Sequence, residues 1–189
     1  MSASPIILPY RGIWPKIDPL AFVAAGAVVI GDVEIGANSS IWFGCMVRGD
    51  VNKIRIGTGT NIQDGTVIHV ASGEHPARTG ANAPTPPEGF PTLIGDNVTV
   101  GHMTLLHACV VEDNAFVGMK AAVMDGARIE SNGMLAAGAL LTPGKVIKSG
   151  QLWAGSPAKF WRDLSADDLA QFQMRAGHYA ELAAEYRQN

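Results

Sequence analysis

From Val23 onward a branched aliphatic residue returns at every sixth position: Val23, Val29, Ile35, Ile41 and Val47. The beat resumes at Ile56, Ile62 and Ile68, and again at Ile94, Val100 and Leu106. It then runs unbroken through Val111, Val117, Val123, Ile129, Leu135, Leu141 and Ile147. All 18 positions carry Leu, Ile or Val, although these make up only 41 of 189 residues. A period of six fits neither an α-helix nor a half-buried strand. Fixed self-similarity of this length predicts an all-β solenoid, a parallel β-helix of hexapeptide repeats. Three hexapeptides make one coil of a triangular prism, and the beat residue points into its axis. At about 18 residues per coil, six or seven coils are expected. Each coil buries its apolar residues only by stacking on its neighbours.

The rest of the chain departs from this beat. Residues 1–21 form a proline-rich lead-in. Residues 71–92 hold five prolines and three glycines without apolar periodicity, which predicts a loop ejected from the prism. After Gly155-Ser156-Pro157 the period becomes helical. Ser165 suits an N-cap, Asp167 and Asp168 complement the positive end of the dipole, and Leu164 and Leu169 sit at staple positions. Leu169, Phe172, Ala176, Tyr179, Ala183 and Tyr186 follow helical spacing, predicting an amphipathic helix over about 166–187. The expected organisation is a β-helix over 1–157 and a C-terminal segment over 158–189. The helix of that segment covers a flank of the prism or of a neighbouring subunit.

Composition narrows the partners. The net charge is −3 with no basic block, which argues against nucleic acid or an anionic membrane surface. No apolar run is long enough to span a bilayer. The opening MSASPIILPYRGIW lacks the basic-then-apolar order of a signal peptide. Cys45 and Cys109 do not make a disulfide framework, so reduced thiols and a cytoplasmic location are expected. The 22 glycines are expected at the prism corners, where positive φ is needed.

Chemistry concentrates near the ejected loop. His69 and His107 each follow an inward beat residue, and His102 lies two after Val100. A lone histidine on a solenoid is usually a solvated side chain, but three in adjacent coils around one loop suggest a site. Three imidazoles with a fourth position open form a catalytic zinc centre, and the same donors suit Fe2+ or Co2+. His102 and His107 are five residues apart, on different faces or on either side of a corner, so their side chains diverge. A neighbouring subunit is therefore expected to complete the site, in a homotrimer. Arg48-Gly49-Asp50 and Asn61-Ile62-Gln63-Asp64 supply further polar groups, each of which alone could be a surface pair or a solvated corner.

The Arg48-Gly49-Asp50, Asn61-Ile62-Gln63-Asp64, His69 and Gly101-His102 to His107 series resembles that of the γ-class carbonic anhydrases, over nearly the whole chain. The resemblance implies a left-handed β-helix. It implies zinc ligands His69 and His107 from one subunit and His102 from its neighbour. Gln63 would orient a zinc-bound hydroxide that hydrates carbon dioxide to bicarbonate, and Asn61 and Asp64 would support it. Arg48 and Asp50 would pair across the trimer interface, with Arg48 near the anionic product. Three features depart from the prototype. Val51 replaces a Glu. Tyr179-Ala180-Glu181 stands where the prototype helix has Tyr-x-Asn, which leaves Tyr179 as a candidate. The acidic loop that would carry a proton-shuttling Glu offers only Glu74, His75 and Glu88; in an active enzyme His75 or Glu74 would move the proton, and otherwise both are solvated loop residues. Two alternatives share the fold: an acyltransferase or acyl-CoA thioesterase, and a metal-containing homologue without turnover.

Overall fold

A computed structural model describes residues 4–73 and 86–188. The hexapeptide beat resolves into three parallel ladders. On the first face Ile7, Val29, Val47, Ile68, Leu106, Val123 and Leu141 stack in register. On the second, Ile17, Ile35, Ile56, Ile94, Val111, Ile129 and Ile147 do so. On the third, Val23, Ile41, Ile62, Val100, Val117, Leu135 and Trp153 complete the prism. Each ladder therefore has seven rungs. Every beat residue except half-buried Val23 is at most 4% exposed. Each such aliphatic side chain contributes about 1.5–3 kcal/mol by leaving water. The axis of the prism is thus the hydrophobic core.

The breaks in the beat have structural causes. The strands Val28–Ile35 and Met46–Ile56 continue around the corner between the first and second faces. Those two faces consequently share one 12-stranded sheet, while the third forms its own sheet of eight strands. Gly31 pairs with Gly49, but Val33 pairs with Ile54, so residues 50–52 bulge out of the ladder. Leu106 and Val111 are one residue closer than the beat, and Ala108 turns that corner at φ 51. The ejected loop begins after an antiparallel bridge between Ala71 and Phe90, and the strand Thr92–Ile94 resumes the prism.

Glycine does not hold the corners alone. Asn38, Asn97, Asn114 and Asn132 also turn them, at φ 54 to 62, which Asn tolerates better than other side chains. Gly57 answers a different need. A Cβ there would lie 2.6 Å from the backbone of Gly95, because adjacent coils approach too closely for a side chain.

The C-terminal helix spans Ala166–Gln188. Ser165 caps it reciprocally: its Oγ accepts from the Asp168 amide at 3.2 Å, and its own amide donates to Asp168 Oδ2 at 2.8 Å. The helix lies on the third face of its own prism. Phe172 stacks on Phe116 with centroids 5.0 Å apart, Tyr179 meets Trp42 edge-on at 5.5 Å, and Tyr186 reaches Phe22 at 5.8 Å. It therefore runs back toward the N-terminal coils. The strand Ala158–Asp163 pairs antiparallel with Gln151–Gly155, ending the parallel ladder at that face.

Candidate functional site

His69 and His107 end two neighbouring first-face strands, Val67–His69 and Leu105–His107, and are register partners. The coil stack therefore brings together two residues that lie 38 apart in sequence. His69 Nδ1 and His107 Nε2 are 3.2 Å apart. Each ring's other nitrogen meets a carboxylate. Asp50 Oδ1 lies 2.9 Å from His69 Nε2, and Asp125 Oδ1 lies 2.5 Å from His107 Nδ1. The bulge at residues 50–52 places Asp50 there, one coil before His69. Asp125 stands one coil after His107 and is only 8% exposed. Composition and motif both overlooked Asp125. The signal lay in the 18-residue coil offset, which sets residue 125 beside residue 107.

Asp50 also pairs with Arg48, through Nη1 and within the same chain. Burial raises the Asp50 carboxyl, but the hydrogen bonds to His69 and Arg48 outweigh it and hold the group below the usual carboxylate range. Burial also keeps the His69 imidazole below its ordinary pKa; the Asp50 hydrogen bond opposes this and the Arg48 charge reinforces it. This favours the neutral imidazole, the state that binds a metal.

His102 is not in this cluster. It occupies the corner that precedes Leu105–His107, at the other edge of the first face. Gly101 beside it is obligatory, since a Cβ would lie 2.6 Å from the Met119 amide nitrogen. His102 Nδ1 lies 2.8 Å from Asp64 Oδ2. Gln63, 6% exposed, donates from Nε2 to Asn61 Oδ1 at 3.0 Å, and Asn61 Nδ2 donates to Thr99 Oγ1 at 2.9 Å. Tyr179 on the helix shares a cavity with Gln63 and His102, and burial raises its phenol pKa, helped by Asp64. The candidate residues therefore form two groups. Arg48, Asp50, His69 and His107 lie at one edge, and Asn61, Gln63, Asp64, His102 and Tyr179 at the other. Among the described residues no three His, Cys, Asp or Glu side chains of one chain converge as a metal site. Glu74 and His75 lie outside the described residues. Glu88 is described, and its carbonyl accepts from Asn52 Nδ2 at 2.8 Å, fastening the loop to the bulge.

Between the two edges the first face is apolar on its outside. Met46, Val67, Leu105, Ala122 and Leu140 are successive register partners there. Val67 is 40% exposed and Leu105 is 36% exposed. The thiols take no part, as Cys45 and Cys109 are free and buried, with burial pushing their pKa values up to about 11 and about 12. No helix among the described residues is long and apolar enough to cross a membrane.

The paired imidazoles suit a zinc ion. Zn–N bonds of about 2.0–2.1 Å in tetrahedral geometry separate two donor nitrogens by about 3.3 Å. The observed separation is 3.2 Å, and a carboxylate on each remote nitrogen is the usual support for metal-ligating histidines.

No protein-family profile matches the chain. It is 49% identical over 169 residues to the mitochondrial γ carbonic anhydrase 2 of Arabidopsis thaliana, covering 89% of this chain but only 57% of that protein. It is 36% identical to a carbonic anhydrase of Geobacillus kaustophilus, over 96% of this chain and 91% of the relative. A solved structure of a hexapeptide transferase family protein from Anaplasma phagocytophilum superposes with a TM-score of 0.84 at 48% identity, covering 96% and 98% of the two chains. With the repeat architecture and the histidine pair already in place, these relatives assign the chain to the γ-carbonic-anhydrase-like family of hexapeptide-repeat proteins.

Proposed function

We propose that this protein interconverts carbon dioxide and bicarbonate at zinc sites shared between the subunits of a homotrimer. The observation that carries the reading is the pair His69–His107, poised at 3.2 Å and supported by two carboxylates, with His102 at the opposite edge of one exposed apolar face. Two copies meeting through that face set the His69–His107 edge of one against the His102 edge of the next. Three-fold closure repeats this contact without leaving an open surface. His69 and His107 would hold the ion from one side and His102 of the neighbouring copy from the other. A bound zinc supplies Lewis acidity that brings the pKa of a water near 7.

The protein's own groups then orient and hold. Asn61 fixes the Gln63 amide, so the Gln63 carbonyl oxygen is aimed rather than free to rotate. It orients the reacting water from the His102 side. Asp64 fixes the His102 ring. Arg48 is 42% exposed and retains donors beyond its contact with Asp50, which suits it to the bicarbonate anion. The buried, reduced thiols suit the cytoplasm or another reducing compartment. The Anaplasma neighbour's name favours a second reading, a transferase on the same prism, for which acyl transfer from coenzyme A is the reaction to test.

Metal analysis and a carbon dioxide hydration assay on one purified sample test the first reading. The expected result is one zinc per chain with turnover, and loss of both in His102→Ala. A folded His102→Ala protein that keeps stoichiometric zinc would exclude the shared site. Coenzyme-A-dependent turnover without hydration would establish the second reading.

A further inference from the structure

Nearly every buried polar group in this protein is satisfied within the chain, and none of the described ones lacks a partner. Unspent polar groups nonetheless gather in one place. A cavity of about 320 Å³ lies between the C-terminal helix and the third face. Arg175 lines it and makes no ion pair or hydrogen bond among the described residues; its guanidinium rests over the Phe116 ring, 5.6 Å from the centroid. Beside it are the Tyr179 hydroxyl and the His178 ring, which pack edge-on at 5.9 Å and hold no hydrogen bond among the described residues. Gln63 and His102 of the candidate site close one end of the cavity, and Phe116, Met119, Met134 and Ala137 give it a soft apolar wall.

We propose that this cavity binds a small organic carboxylate with a short aliphatic chain, its head group on Arg175 and its tail against Met119 and Met134. A planar guanidinium meets a carboxylate through two parallel hydrogen bonds. A single guanidinium matches a single negative charge, not a phosphate dianion, and it repels a cationic ligand. Bicarbonate has no apolar part and would leave the methionine wall unused. Methionine adapts to chains of differing shape. The volume is at the small end for ligand sites, which confines the tail to a few carbons. The cavity borders the Gln63 and His102 side of the candidate site, but the contacts proposed here are those of Arg175, Met119 and Met134 and use no metal, so the metal-free chain tests them independently of the carbonic anhydrase reading.

The test is an NMR titration of the full, chelator-treated chain with acetate, propionate, butyrate and butylammonium. Shifts are read at the Arg175 Nε–H and at the backbone amides of 116–119 and 134–137. The expected affinity rises about fourfold for each methylene added to acetate. Butylammonium causes no shift. Arg175→Gln, an exposed helix position, weakens butyrate at least tenfold with the melting temperature unchanged. Ala137→Phe, also exposed, removes the gain with chain length by filling the tail space. Equal affinities for acetate and butyrate would overturn the proposal, as would undiminished butyrate binding in Arg175→Gln.

Discussion

Asp125 shows how a single side chain can matter without belonging to any motif. It follows Val123 and Met124, which carry no chemistry, yet it accepts from the remote nitrogen of His107. Carboxylates of this kind fix ring orientation and raise ligand basicity. Asp125→Asn should lower zinc affinity about 10–100-fold in chelator competition while the fold is retained. Undiminished affinity would show that Asp125 is only a packing residue. Asp50 plays the matching part for His69 and bears on acid stability. Its pKa is lower in the folded protein than in the unfolded chain, so its stabilising contribution is complete above the ordinary carboxylate value of about 3.9. That contribution is lost as pH falls through the lowered folded value. Asp50→Asn should therefore melt below wild type at pH 6, with the gap closing as pH drops below about 4. A gap independent of pH in calorimetry would remove the Asp50 charge as its cause.

At the scale of elements, the register is the testable claim. Val123 and Ile129 point into the axis from consecutive faces of one coil and are fully buried. Val123→Asp would place an uncompensated carboxylate there and should cost at least about 3 kcal/mol, read as a lowered urea midpoint. A wild-type midpoint would refute the inward assignment. The beat made these positions legible from sequence because a branched aliphatic at period six has no other structural use. Interruptions were legible only as gaps. The jump from Val47 to Ile56 marked an extra three residues, but nothing in Asp50-Val51-Asn52 announced that the bulge would swing Asp50 onto His69. The two-edge arrangement of the histidines was half legible, since a spacing of five implied divergence. The His69–His107 pairing depended on removing a long loop from the count. The destination of the helix was open in sequence, because an apolar stripe does not say which surface it covers. Phe172 on Phe116 and Tyr186 on Phe22 place it on its own chain.

For the whole molecule, the exposed apolar strip is the face on which the proposed trimer rests. Leu105 is centred on the first face between the two candidate half-sites. In the proposed trimer, Leu105→Glu sets three carboxylates into the contacts while leaving the prism core untouched. Light scattering should then report monomers with a wild-type circular dichroism spectrum, and zinc should be lost with the trimer. A stable trimer carrying Leu105→Glu would move the interface to another face.

The bridge between Ala71 and Phe90 has a consequence for how such a protein can change over time. It draws the two ends of the ejected segment together, and the ladder passes from Ile68 to Leu106 as though the segment were not there. Doubling the length of a flexible connection costs only about 0.6 kcal/mol in closure entropy. Residues inserted or removed between these bridge partners therefore leave the pitch of the coils unaltered, because both ends of the insertion stay anchored at the bridge. The prism thus has a port close to the His69–His107 pair, where a new lid, a new specificity or a new tether can be exchanged as a cassette without renegotiating the fold.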